Sequence, residues 1–255
     1  LNRLHILTDE DAIAYDEVFH KGVNIIRGEN SSGKSTITHF IFFVLGGAFD
    51  QFVPEARKCS LAIAEVEING MTLTIKREII KDEDGKINAK SPLYFFWGDM
   101  EESFSPPKEK TWQKFGYNTT SDRKSFSNVL FETLDLPVVK ADNNITFHQV
   151  LRLLYIDQDS PTSSLFYYEH FDSQLTRETI SDLLLGVYNE ELYDNKKRLI
   201  EAEKELIQIK AEIKTTNQFF SNPLYLKPQN ILTVIDSKEK ETSAIQNEIV
   251  AIRSA

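Results

Sequence analysis

The stretch Val23-Asn24-Ile25-Ile26-Arg27-Gly28-Glu29-Asn30-Ser31-Ser32-Gly33-Lys34-Ser35-Thr36 is the most informative part of the chain. Residues 28–35 satisfy G-x-x-x-x-G-K-[ST] in full. An apolar, β-like run, Val23–Ile26, leads into them. Lys34–Leu45, apolar on nearly every side, follows and reads as a buried helix. Gly28 and Gly33 permit backbone angles and close approaches that a side chain blocks. Such a loop turns N–H groups inward, and the helix N-terminus adds its positive dipole end, so the pair favours a bound anion. The candidate nucleotide-binding residues are Gly28, Glu29, Asn30, Ser31, Ser32, Gly33, Lys34, Ser35 and Thr36. Lys34 is expected to reach the β- and γ-phosphates, Ser35 to ligate Mg²⁺ through its hydroxyl, and Thr36 to touch the α-phosphate side. Kinases, GTPases, helicases and transporter ATPases share this loop, so the rest of the chain must choose among them.

Upstream, Leu4–Leu7 is a short apolar run followed by an acidic turn at Asp9, Glu10 and Asp11. Downstream, Gly46-Gly47 stops the helix. Leu61–Ile68 and Thr72–Ile80 flank Asn69-Gly70, a two-residue hairpin signal. Asp84-Gly85 marks a second turn before the apolar residues Leu93–Trp97. These runs predict an antiparallel β-layer of hairpins. Ser103–Thr120, rich in Pro, Lys and Ser, reads as an exposed loop. Helical patterns return at Phe126–Leu134, Thr146–Leu154 and Thr176–Val187.

From Glu190 the texture changes. Leu192, Leu199 and Leu206 sit seven apart, Ile209 and Ile213 continue the stripe, and the remaining positions are mostly polar. A seam this narrow is of the coiled-coil type. Phe219–Asn230, with Pro223 and Pro228, interrupts it, and Ile245, Ile249 and Ile252 resume it. The expected organisation is a head over residues 1–189 and a two-helix arm over 190–255.

A second constellation, Leu153-Leu154-Tyr155-Ile156-Asp157-Gln158-Asp159, is an apolar run ending in polar residues. Three readings stand. It is a Walker B strand with Asp157 on the metal, although Gln158 occupies the place where a second acidic residue usually follows. It is a Q-loop, with Gln158 as a Mg²⁺ ligand sensing the γ-phosphate. Or it is a strand end with ordinary loop residues.

The 255 residues carry a formal net charge of −10, so overall charge does not hold this chain to nucleic acid. Local basic patches are Lys108, Lys110 and Lys114 with Arg123 and Lys124 nearby, and Lys196-Lys197-Arg198; Trp112 and Phe115 interleave with the first. Each also reads as a solvated charged surface. A single cysteine, Cys59, excludes an internal disulfide and a cysteine-based zinc site, and fits a reducing cytosol. The five histidines lack metal-ligand spacing, no apolar run is long enough to span a bilayer, and no signal peptide is visible, so a cytoplasmic protein is expected.

Gly22–Thr36, followed in order by Gln158, Arg177, Leu183-Leu184-Leu185-Gly186 and the Lys196-Lys197-Arg198-Leu199 entry to the arm, resembles the opening of the SMC/RecN-type ABC ATPases, which include the double-strand-break-repair ATPases. The resemblance covers about residues 1–215. It implies an α/β fold: the N-terminal lobe of an ABC-type P-loop ATPase head with an antiparallel β-layer, extending into an antiparallel coiled-coil arm. It implies ATP and Mg²⁺ as cofactors, Lys34 and Gln158 as catalytic groups, and Ser35 and Gln158 as metal ligands. Its partners would be a second head in a homodimer, DNA, and other protein subunits. In such heads hydrolysis needs two heads sandwiching ATP, and the signature motif, Walker B and switch His come from a lobe after the coiled coil. Those motifs are not visible here, so the chain reads as an N-terminal fragment or one whose other half lies elsewhere. DNA repair, chromosome maintenance and defence against foreign DNA all fit the resemblance. The alternatives are a nucleotide-gated scaffold without turnover and another P-loop NTPase, such as a kinase or transporter ATPase.

Overall fold

The computed structural model describes residues 1–83, 85–120, 122–138, 145–157 and 172–221, with 232, 233, 235–237, 239, 240 and 243 beyond them. The chain divides into two compact units, Leu1–Glu190 and Glu191–Ala255.

The first unit is built on six antiparallel strands in the order β2-β1-β3-β4-β5-β6. They are β1 (Arg3–Thr8), β2 (Ile13–Val18), β3 (Cys59–Ile68), β4 (Met71–Glu78), β5 (Leu93–Phe96) and β6 (Gln113–Phe115). The β3–β4 hairpin turns on Asn69 (φ 49°) and Gly70 (φ 78°), a pair of left-handed residues whose twist matches the strands they join. The register runs from Ile68 opposite Met71 to Leu61 opposite Glu78. Alternation then sends Leu4 and Ile6, Ala62 and Ala64, Leu73 and Ile75, and Leu93 and Phe95 to one face, all buried. α1 (Lys34–Val44) packs Phe40, Phe43 and Val44 on that face. Phe52 closes the layer, its ring 4.8 Å from Phe40 and 5.5 Å from Phe43.

Four further helices complete the unit: α2 (Met100–Phe104), α3 (Phe126–Thr133), α4 (Phe147–Leu154) and α5 (Gln174–Leu184). Side chains cap them in the ordinary way. Asp99 accepts from the N–H of Glu102, Ser125 from Asn128 and Ser173 from Thr176, and the Gln149 side chain accepts from the N–H of Thr146. Of the second unit, α6 (Glu190–Ser221) is a single 32-residue helix. Leu199, Leu206, Ile209 and Ile213 are exposed along it. The resuming stripe at Ile245, Ile249 and Ile252, and Pro223 and Pro228, lie outside the described residues.

The structure departs from the sequence reading in four places. Val23–Ile26 is not a strand. A strand needs a neighbour to hydrogen-bond, and β1 is already paired on both sides by β2 and β3. Val23 and Ile25 are accordingly exposed, and the Asn24 side chain ties its segment to the backbone of His20 instead. The residues after the acidic turn, to which the sequence reading gives no element, form β2. The exposed loop read at Ser103–Thr120 contains β6, because Phe115 opposite Leu93 packs its ring 5.1 Å from Phe95. Finally, for the second constellation, Leu153 and Leu154 are the last turn of α4, as the helical pattern at Thr146–Leu154 predicts, so no strand delivers Asp157, and the Walker B and strand-end readings lose their basis.

One buried charge stands inside the apolar layer. Arg77 of β4 is fully buried and 4.0 Å over the Phe43 ring. Its Nη1 donates to the carbonyls of Phe43 (2.6 Å) and Gly47 (2.7 Å), its Nη2 to those of Ala89 (2.8 Å) and Ser91 (3.1 Å), and its Nε to the Ser91 hydroxyl (3.1 Å). Burial pulls its pKa down to about 9, which leaves the guanidinium charged at neutral pH. Five neutral acceptors, two of them at the C-terminal end of α1 where the helix dipole is negative, compensate the charge.

Replacing Arg77 by Met should strand those carbonyls and lower unfolding stability by about 3 kcal/mol or more in urea denaturation, whereas Lys, with three donors, should recover only part of the loss. At the sheet edge, Arg3 grips both oxygens of Asp16 at 2.7 Å and holds that carboxyl below its ordinary value of 3.8. A depressed carboxyl stabilises the fold above its unfolded pKa and loses that contribution as pH falls through the folded one. Asp16→Asn should therefore lower stability at pH 7 and flatten the fall in stability below about pH 4 relative to wild type.

Candidate nucleotide-binding site

The phosphate-loop segment stands at the N-terminus of α1, and that terminus differs from those of α2–α5. Its N-cap is Gly33, at φ 87° and ψ 9°, with no side-chain cap and no acidic residue in the first turn. A residue bearing a Cβ is strained in that left-handed conformation. Without a capping side chain, the first N–H groups of α1 and the helix dipole remain available to an external anion. Ser31 is also left-handed (φ 63°), and the N–H of Ser32 meets the carbonyl of Glu29 at 3.3 Å. Gly28 leaves room for the Ser32 hydroxyl, which would lie 2.5 Å from a Cβ placed there.

Lys34 folds back over this loop. Its Nζ donates to the carbonyls of Gly28 (3.0 Å) and Glu29 (2.5 Å). Both acceptors are neutral. A phosphate oxygen forms a charge-assisted bond about twice as strong, so the ammonium is placed to exchange these carbonyls for a phosphate. Ser35 is exposed at the mouth of the loop, and its carbonyl accepts from the Thr38 hydroxyl at 2.8 Å. These residues fit ATP with Mg²⁺ in donor chemistry: the uncapped N–H groups of the first turn of α1 and one ammonium for the phosphates, and a hydroxyl for the metal. No group of three or more His, Cys, Asp or Glu forms a protein-only metal cage among the described residues.

Helix α4 brings a second segment to α1. His148 Nδ1 accepts from the N–H of Ala48 at 3.0 Å, and its ring meets Phe42 edge-on at 5.8 Å. Tyr155, just beyond α4, packs its ring 4.7 Å from Phe42 and 6.3 Å from His39, and its hydroxyl is buried against Thr38. Burial pushes that phenol up from its ordinary pKa, and Asp157 adds to the shift. Arg152 and Asp172, both buried, form an ion pair. Asp172 also accepts from Gln149 (3.3 Å) through its side chain and from Arg177 (3.1 Å) through its carbonyl. This clamp joins α4 to the start of α5 and brings together the two ends of the segment that contains Gln158. Gln158 itself lies outside the described residues.

A cleft of about 520 Å³ opens beside α1, bordered by Thr38, Ile41, Ile26, Phe19, Asn24 and Glu67 among others. None of residues 28–36 lines it, so it flanks the phosphate loop and does not define where phosphates sit.

The basic patches read from sequence fare unequally. Lys110 pairs with Glu102 and Lys124 with Glu132, each at 2.7 Å, and Lys197 lies 3.9 Å from Glu201. Lys114 lies 5.4 Å over the Tyr94 ring, which Lys76 approaches at 5.1 Å while standing 4.3 Å over Trp112. Trp112 thus packs under a lysine and on Phe96, and Phe115 packs in the core. Lys76 and Tyr94 escaped the sequence reading. They share one cross-strand row with Lys114, which becomes visible only once β6 is in register.

The AAA domain family matches this sequence over residues 17–254. A stretch of 65 residues is 38% identical to the DNA double-strand break repair Rad50 ATPase of Methanocaldococcus jannaschii, covering 24% of this chain and 6% of that relative's length. No helix among the described residues is long and apolar enough to cross a membrane. A complete phosphate-loop motif stands at an uncapped helix N-terminus with an antiparallel β-layer beside it, and the chain belongs to the AAA domain family.

Proposed function

We propose that this chain is the nucleotide-binding part of an SMC-like ATPase that binds ATP–Mg²⁺ and, with a second head, uses it to control a coiled-coil arm acting on DNA. The observation that carries the reading is the Gly28–Thr36 loop. Its helix is uncapped, its first turn holds no carboxylate, and its lysine rests on neutral carbonyls. Lys34 binds the β- and γ-phosphates, Ser35 takes the metal, and Gln158 is the second metal ligand in this reading. The role of DNA comes from the SMC/RecN resemblance and from the DNA double-strand break repair named for the Rad50 relative. DNA repair, chromosome maintenance and defence against foreign DNA are the settings it fits, and cytoplasmic placement goes with them.

Head-to-head pairing across ATP is what the SMC/RecN resemblance implies. The loop supplies one face to the γ-phosphate, and in-line attack needs groups on the opposite face. The 255-residue chain is therefore expected to bind ATP–Mg²⁺ while turning it over negligibly. A scaffold that closes on ATP without turnover is the second reading. It gives the same binding but no hydrolysis by the complete assembly.

Isothermal titration of the chain with ATP–Mg²⁺ should show saturable binding that Lys34→Ala weakens by at least tenfold, consistent with a lost charge-assisted contact. Equal affinity in the two proteins would contradict the reading. Gly33→Ala forces a Cβ into φ 87°, at a cost of about 1–2 kcal/mol, and should weaken ATP by about tenfold while the melting temperature of the nucleotide-free protein moves by only a few degrees.

A further inference from the structure

Thr38 and Tyr155 stand together behind the turn that carries Ser35, a juxtaposition that neither the phosphate-loop motif nor the family match assigns. The Thr38 hydroxyl donates to the carbonyl of Ser35 at 2.8 Å, so it fixes the first turn of α1 from behind. A hydroxyl that donates once still has lone pairs to accept with. The Tyr155 hydroxyl faces it. That phenol is buried, pressed against Thr38, yet it does not meet hydrogen-bond geometry with any partner. A buried hydroxyl left in this state is costly, by about the free energy of a lost hydrogen bond, and sits one small movement from relief. Its ring cannot wander far, because Phe42 and His39 hold it on α1.

We propose that Tyr155 is a positioning residue: on binding of ATP–Mg²⁺ its hydroxyl closes onto Thr38 Oγ1, completing a relay from Tyr155 through Thr38 to Ser35. The inference rests on the proposed role of Ser35 as metal ligand. The relay makes the turn that presents the Ser35 hydroxyl stiffer when the metal is present. It also ties the chain entering Gln158, three residues beyond Tyr155, to the occupancy of the loop. The Arg152–Asp172 clamp holds the far side of the same segment, so movement of Tyr155 is not absorbed there.

Tyr155→Phe keeps the ring stacking and removes only the hydroxyl, and Thr38→Val breaks the middle of the relay. ATP affinity is measured by titration with Mg²⁺ and again in EDTA, for wild type, each single variant and the pair. Each single variant should bind ATP–Mg²⁺ about fivefold more weakly, with metal-free ATP little changed, and the double variant should lose no more than the worse single one. An unchanged Tyr155→Phe, an equal loss with and without metal, or additive losses would each overturn the relay. Lys34→Ala in the same series separates the two readings. If it retains wild-type ATP affinity, the phosphate-loop assignment fails. If it loses ATP while Tyr155→Phe does not, only the relay fails.

Discussion

The Arg77 guanidinium is the interaction on which the rest of the first unit depends. It sits in the middle of an apolar sheet face, where an unpaired charge would cost several kcal/mol. The backbone carbonyls of Phe43 and Gly47 at the end of α1, and of Ala89 and Ser91 beyond β4, together with the Ser91 hydroxyl, make its burial tolerable. Those bonds form only when α1 lies at one height and one rotation over β4. Hydrophobic packing of Phe40, Phe43 and Val44 is non-directional and would accept small slides along the sheet. The guanidinium's planar fork does not. By fixing the C-terminal end of α1, Arg77 also fixes where its N-terminus, and thus the phosphate loop, stands.

The two ends of α1 are therefore built on opposite principles. At the C-terminal end, every nearby carbonyl named above is claimed by a buried cation. At the N-terminal end, Gly33 leaves the first N–H groups without a side-chain partner, although α2, α3, α4 and α5 all recruit one. The helix is anchored by its negative pole and offers its positive pole to an anion. Lys34, resting on two neutral carbonyls, adds a movable charge to a fixed dipole.

Much of this was legible in the residues. The loop motif, the helix after it and the Asn69-Gly70 hairpin were visible because each depends on local chemistry: positive φ, apolar periodicity and turn type. Val23–Ile26 was misread because an apolar β-like run says nothing about whether a neighbouring edge is free, and β1 has none. β6 was missed because three residues of Gln113–Phe115 carry too little alternation, and only Phe115 meeting Phe95 and Leu93 makes them a strand. Leu153-Leu154 admitted strand readings beside the helical pattern at Thr146–Leu154, because a short apolar run has no period of its own; the capping bond from Thr146 to Gln149 goes with the helix. Arg77 gave no warning at all: in sequence it is one basic residue in Lys76-Arg77-Glu78, and only the sheet register turns it inward while Lys76 faces out.

Hydrogen–deuterium exchange of the backbone amides from Gly28 to Thr36, with and without ATP–Mg²⁺, tests most directly whether this helix terminus is an anion site. The account predicts that the nucleotide slows exchange at Gly33, Lys34, Ser35 and Thr36, and that Lys34→Ala removes most of that protection. Exchange at these amides that is unaffected by the nucleotide would contradict it.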